Sequence, residues 1–367
     1  MRRWRYLLAL LLISFFLTTS INVYAEKIHE HKTELDKNQI IKNTHTYEKI
    51  IVDKDDKSAY QSIQDAINQA LTDSTIYIKI GYYPEILEIK KRITIIGEDK
   101  EKTIINPNTN KNGYSIRIAE NGVKIKNLGI QNKGPGIYST GIKVSADKTT
   151  ISNCNIFNTP VGIALWSSNN IISDCLFWGC DDEGIAFLGS PSNKCDNNIV
   201  SNSEFFNNCD GIELQYSSNN RISSCKFYDN SHAGIDAIGK SNNNNVITDC
   251  ELSNNKAFGI FFANSNDNTI SKCDFSENKI MTSGSKQMNV EECKLDGIYL
   301  TEQSSMTIKD CSNVIKSKIK TVDSEYVLSN IDDIKSRFEV LQQKGKRTKS
   351  ILLQRITSII TLFRLNK

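Results

Sequence analysis

Asp181, Asp182 and Glu183 form an acidic run, and Asp210, Glu213 and Asp236 follow it in step with a repeated Gly-Ile phrase, Gly184-Ile185, Gly211-Ile212 and Gly234-Ile235. Asp210 stands before its glycine where Glu183 stands one repeat earlier, and the second place after glycine reads Ala186, Glu213, Asp236 and Phe261. Alternate side chains of a strand share a face, so if each phrase is one strand of successive coils, Glu213 and Asp236 stack as outward neighbours. Two carboxylates one rung apart repel, which raises one pKa and leaves the other ionised. That is the condition for an acid/base pair, and a separation of roughly 5 Å would suit a retaining glycosidase.

The candidate proton-transfer residues are therefore Asp182, Glu183, Asp210, Glu213, Asp236 and His232. The fourth place after glycine reads Trp166, Leu188, Gln215 and Ile238, an apolar wall beside the acids. Trp166, Gln215, Tyr216 and Lys240 are the candidates for packing on a sugar ring and bonding its hydroxyls. The same acids have another use: Asp181, Asp182 and Asp210 could collect Ca²⁺, with Lys240 or His232 then moving the proton. A plainer use is also open, since solvated acids in the turns of a repeat discourage aggregation.

The elements that place these residues come from a second phrase. Its fullest copies run from Asn170 to Phe177, Asn220 to Phe227, Asn245 to Leu252 and Asn268 to Phe275. Cys154, Cys175, Cys225, Cys250, Cys273, Cys293 and Cys311 share one place in it, with Ser203 in the copy lacking cysteine. Ile or Val stands three residues before that place; Ile156, Phe177, Phe205, Phe227, Leu252 and Phe275 stand two after it, and Asn170, Asn198, Asn220, Asn245 and Asn268 five before. A period of roughly 20 to 28 residues signals stacked coils. With about three short strands per coil, the expected fold is all-β, a right-handed parallel β-helix over residues 48–314. Its cysteines form a ladder of small buried side chains. Its asparagines turn the chain in a left-handed conformation and bond the coils above and below. Upstream, Ser62 to Leu71 has helical spacing, with Ser58 or Ser62 as cap, and suits a helix plugging the open end of the stack.

The chain of 367 residues carries a net charge of +3, which gives no whole-protein argument for nucleic acid. Arg2, Arg3 and Arg5 precede an apolar run, and Val23-Tyr24-Ala25 ends it, so residues 1–25 read as a secretory signal peptide, with an uncleaved anchor as the alternative. The protein is then secreted, periplasmic or held at the cell surface. Residues 26–47 form a polar lead-in whose His29, His31 and His45 face solvent. Of the 10 cysteines, Cys180, Cys195 and Cys209 lie outside the ladder register, and a disulfide, if one forms, is expected among them. Residues 315–367 read as a basic helical segment that either caps the stack or lies on an anionic membrane surface. The chain is expected to act as a monomer.

These repeats resemble the pectin-lyase-like superfamily of parallel β-helices, most closely its NosD-type periplasmic branch, and Ser62 to Gly97 resembles the opening of pectin methylesterase-like proteins. The resemblance covers about Ile51 to Cys311 and implies the β-helix. For function it implies lyases, esterases, hydrolases, epimerases or non-enzymes, since all share the fold. The Gly-Asp-aromatic phrase of pectin methylesterases and the Asn-Thr-Asp and Gly-His-Gly phrases of polygalacturonases are missing, and basic residues placed as in a pectate lyase are not evident. Two readings result. One is an exported protein that binds polysaccharide and modifies it at the acidic face. The other is a non-catalytic NosD-like accessory or structural protein.

Overall fold

The computed structural model describes residues 49–107, 113–134, 136, 139–314 and 318–331. Among them, strands pair in parallel with their counterparts one coil away, giving sheets of thirteen, eleven and nine strands. This is the parallel β-helix expected from the repeats. The expected leader, the lead-in and most of the basic C-terminal segment lie outside the described residues.

The first rung is closed by the helix Ile63–Gln69. Ser62 caps it by accepting from the Asp65 N–H, and the Glu85 carboxylate accepts from the N–H groups of Ile63 and Gln64 at 3.0 and 3.1 Å. Ser58 instead bonds Asp56. Ile63, Ala66 and Ile67 are buried in the same core as the strands, so the helix covers apolar ends that would otherwise meet water.

Inside, like stacks on like. The rings of Phe177, Phe205 and Phe227 lie nearly parallel with centroids 4.7 and 4.8 Å apart. The Asn170, Asn198, Asn220, Asn245 and Asn268 column is a hydrogen-bonded ladder, each Oδ1 accepting from the backbone N–H one rung below at 2.8–2.9 Å. The expected left-handed backbone falls one residue earlier than these asparagines, on Asn169, Asn197, Asn219, Asn244 and Asp267. The bend and the ladder are separate jobs: one residue turns the chain, and the next aims its amide along the axis.

A second ladder, Asn208, Asn230, Asn255 and Asn278, runs five residues after the cysteine place. It fixes the corner from which the acidic strands depart. In the Gly-Ile phrase glycine is needed for close approach: a Cβ on Gly211 would lie 2.5 Å from the Gly234 carbonyl oxygen.

All ten cysteines are free, Cys180, Cys195 and Cys209 included. The ladder thiols donate to nearby carbonyls, as Cys225 does to Ser223 at 3.3 Å. The coil continues beyond residue 314, where a helical segment was expected, through the strands Lys318–Thr321 and Glu325–Ser329. Ile319 is buried, and Tyr326 and Leu328 pack against the core. Alternation persists there without the cysteine phrase, so the repeat pattern missed it.

Candidate functional site

The outward column of the eleven-stranded sheet can be followed rung by rung. From Glu88 it passes to Arg117, Lys143, Ala164, Ala186, Glu213, Asp236, Phe261, Met281 and Tyr299. Glu213 stands beside Asp236, and Glu183 beside Asp210, as the glycine phrase predicts. Alternation predicted the side of Glu213 and Asp236 correctly and the depth wrongly, and it did not place Glu183 and Asp210, which stand two residues before the inward Ile185 and Ile212 yet meet Glu213 and His232. Glu183, Asp210, Glu213 and Asp236 are only 6, 5, 8 and 4% exposed, and their neighbours Val161, Ala164 and Ala186 form a small apolar cluster with Leu188.

Burial sets the electrostatics. Desolvation, with the Glu213 and Asp182 carboxylates beside it, pushes Glu183 up to about 9. Asp236 is pushed up to about 7 by burial and by Asp210, against the pull of His232. Asp210 and Glu213 are raised for the same first reason, opposed by His232 and by the Gln215 amide respectively. Glu183 therefore holds a proton at neutral pH.

His232 draws two rungs together. Its Nδ1 lies 2.9 Å from Asp210 Oδ1 and 3.6 Å from Asp236 Oδ2. The Ala233 N–H donates to the same Asp210 oxygen at 2.7 Å. Among the described residues, Asp210, His232 and Asp236 are the group whose potential ligand atoms converge, all within 4.8 Å of one another. The expected trio of Asp181, Asp182 and Asp210 is not assembled. Asp181 is exposed, and both Asp181 and Asp182 sit in the turn, bonded through their backbone N–H groups to Thr159 and Pro160.

The candidate sugar-binding residues are spread along the column. Gln215 donates to Glu213 and so belongs to the acidic end. Trp166, 42% exposed, belongs to the other end, with Lys143 Nζ 5.8 Å from its ring centre. Its carbonyl accepts from Asn193 of the long loop at 2.9 Å. That loop is pinned by Cys195, whose thiol donates to Leu165 and Ser167. Tyr216 takes a left-handed backbone, with Lys194 over its ring at 5.0 Å, and Lys240 lies exposed.

Arg117 and Lys143 were missed in the sequence, although Gly141-Ile142-Lys143 is the same phrase carried further back. A second aromatic column, Phe157, Trp178, Phe206 and Tyr228, also went unread. Its rings stack on one another, so they offer edges to solvent while the faces that would pack on sugar are already covered.

A family model described as "Periplasmic copper-binding protein (NosD)" matches residues 67–290 and 207–326. A pectinesterase from Petunia integrifolia is 31% identical over 144 residues, 35% of this chain and 38% of the relative. A probable pectinesterase/pectinesterase inhibitor from Arabidopsis thaliana is 29% identical over 160 residues, 38% of this chain and 28% of the relative. The chain thus spans well under half the length of either relative. Among solved structures, the A-module of a mannuronan C-5 epimerase from Azotobacter vinelandii aligns with a TM-score of 0.60 at 13% identity, covering 77% of this chain and 92% of the module. The catalytic domain of an α-1,3-glucanase, in complex with tetrasaccharides, aligns with a TM-score of 0.52 at 15% identity over 82% of this chain and 69% of that one. These likenesses are of fold alone. The sequence match to the family model covers more than half of the residues, and the chain belongs to the NosD family.

Proposed function

We propose that this protein is exported and binds an acidic polysaccharide along the outward column of the eleven-stranded sheet, modifying it by proton transfer at the acidic end. The observation that carries the reading is the order of the column: Arg117 and Lys143, then Ala164 and Ala186, then Glu213 and Asp236. Lys143 offers binding for a sugar carboxylate, with Arg117 beside it already paired to Glu88 at 3.4 Å; the alanines leave a low floor, and Trp166 offers a ring face beside Lys143. At the far end Glu183 carries a proton to give, while Glu213 on the next rung is placed to receive one. Hydrolysis, elimination and epimerisation all need such a pair, and their products tell them apart. The pectinesterase relatives support a polysaccharide substrate, and the family's periplasmic description, with the leader expected over residues 1–25, supports export.

The family description also names copper. The ladder cysteines do not fit that role: their thiols are buried and donate to core carbonyls. The oxygen and nitrogen donors of Asp210, His232 and Asp236 do fit a divalent ion. Bound there, an ion would act as a Lewis acid on a sugar carboxylate or hydroxyl.

A panel of acidic and neutral polysaccharides, read for binding and for new reducing or unsaturated ends, tests the proposal. Uronate polymers should be retained in preference to neutral ones, and Lys143→Ala should weaken retention about tenfold with little change in melting temperature. Neither binding nor product across the panel would sink it.

A further inference from the structure

Among the described residues, Asp236 Oδ1 is a buried carboxylate oxygen with no hydrogen-bond partner, on a side chain 6% exposed. Such an oxygen, shut away from water, is costly unless something positive meets it. Its partner oxygen Oδ2 is 3.6 Å from His232 Nδ1, which is itself 2.9 Å from Asp210 Oδ1. A proton between imidazole and Asp210 settles one contact and leaves Oδ1 as it was. Further negative charge surrounds the group, from Glu213 on the adjoining rung and from Asp182 in the turn.

We propose that Asp210, His232 and Asp236 form a binding site for a divalent transition-metal ion of the borderline class. One imidazole with two carboxylates suits Zn²⁺ or Cu²⁺, whereas Ca²⁺ seeks six to eight oxygens. The donors are held in place before any ion arrives. Asp210 and Asp236 stand in the paired strands Asp210–Gln215 and Ala233–Ala237. The Ala233 N–H orients the Asp210 carboxylate at 2.7 Å, and the His232 N–H is bonded to the Cys209 carbonyl at 2.9 Å. Two residues before His232, Asn230 is locked in its ladder. Supporting bonds of this kind orient first ligands. The His232 side chain is 42% exposed, which gives an entry path and leaves room for ligands from solution.

The test uses the full-length protein, stripped with EDTA and titrated with Zn²⁺, Cu²⁺ and Ca²⁺ in a calorimeter with no sugar present. One equivalent of Zn²⁺ or Cu²⁺ should bind, with Ca²⁺ at least about tenfold weaker, and Zn²⁺ should raise the melting temperature through linkage. His232→Ala and Asp236→Asn should each lower Zn²⁺ affinity about tenfold or more, by comparison with the loss seen on removing a supporting partner. Circular dichroism checks that both variants fold, and His232→Gln replaces His232→Ala if it does not. The electron paramagnetic resonance spectrum of the Cu²⁺ form should show nitrogen coupling that disappears in His232→Ala and survives replacement of His29, His31 and His45 together. No stoichiometric binding, or binding that depends on those three histidines and ignores His232 and Asp236, overturns the proposal. Because the titration contains no polysaccharide, its outcome is independent of the sugar-binding screen.

Discussion

The two faces of the strands that carry Glu213 and Asp236 obey different rules. On the inner face Ile185, Ile212 and Ile235 repeat one another. On the outer face Ala186, Glu213, Asp236 and Phe261 change at every rung. An inner side chain meets a copy of itself one rung away, so any departure leaves a gap or a clash. The outer column has no such constraint, and yet its acids are almost as deeply buried as the core. Buried carboxylates with raised pKa values work against folding, and their presence on the less constrained face marks that face as the one shaped for chemistry.

Substitutions can break this contrast in graded steps. Phe205→Ala removes a ring stacked on both sides and should destabilise by about 3–5 kcal/mol, read by denaturant unfolding. Next comes Asn220→Ala, which strands the Asn198 N–H and costs about 1–3 kcal/mol. Glu183→Gln on the outer face differs from both, because its effect depends on pH. The folded carboxyl keeps its proton up to about 9, whereas the unfolded one loses it near 4.5. Stability should be unaffected by this group below 4.5 and should fall as pH rises from there to about 9, because the unfolded state gives up the proton first. Melting temperatures measured across that window with chelator present should slope downward less steeply in Glu183→Gln than in the parent. Equal slopes would mean that Glu183 ionises in the folded protein as it does in water.

Much of this was legible in the sequence because a β-helix writes its coil into the chain as a period. The asparagine and cysteine columns, the stacking of Glu213 on Asp236 and the pairing of Glu183 with Asp210 follow from counting. Counting along a strand reports which side a residue takes and says nothing of how deep that side lies, so the burial of the acids was invisible. It also missed contacts made across a corner: His232 precedes its strand, and the turn delivers its ring to Asp210 and Asp236. The left-handed positions were placed one residue late because Asn serves both as turn former and as ladder amide, and composition alone does not separate the two uses.

The asparagine ladder has a polarity. From Asn170 to Asn268 each backbone donor reaches forward to an acceptor on the rung that comes later in the chain, and the last amide, on Asn268, reaches Met288 Sδ at 3.8 Å. Within this ladder, then, each rung leaves a backbone donor for the coil that follows it, and at Met288 a sulfur takes the place of the amide oxygen, so the amide series ends there.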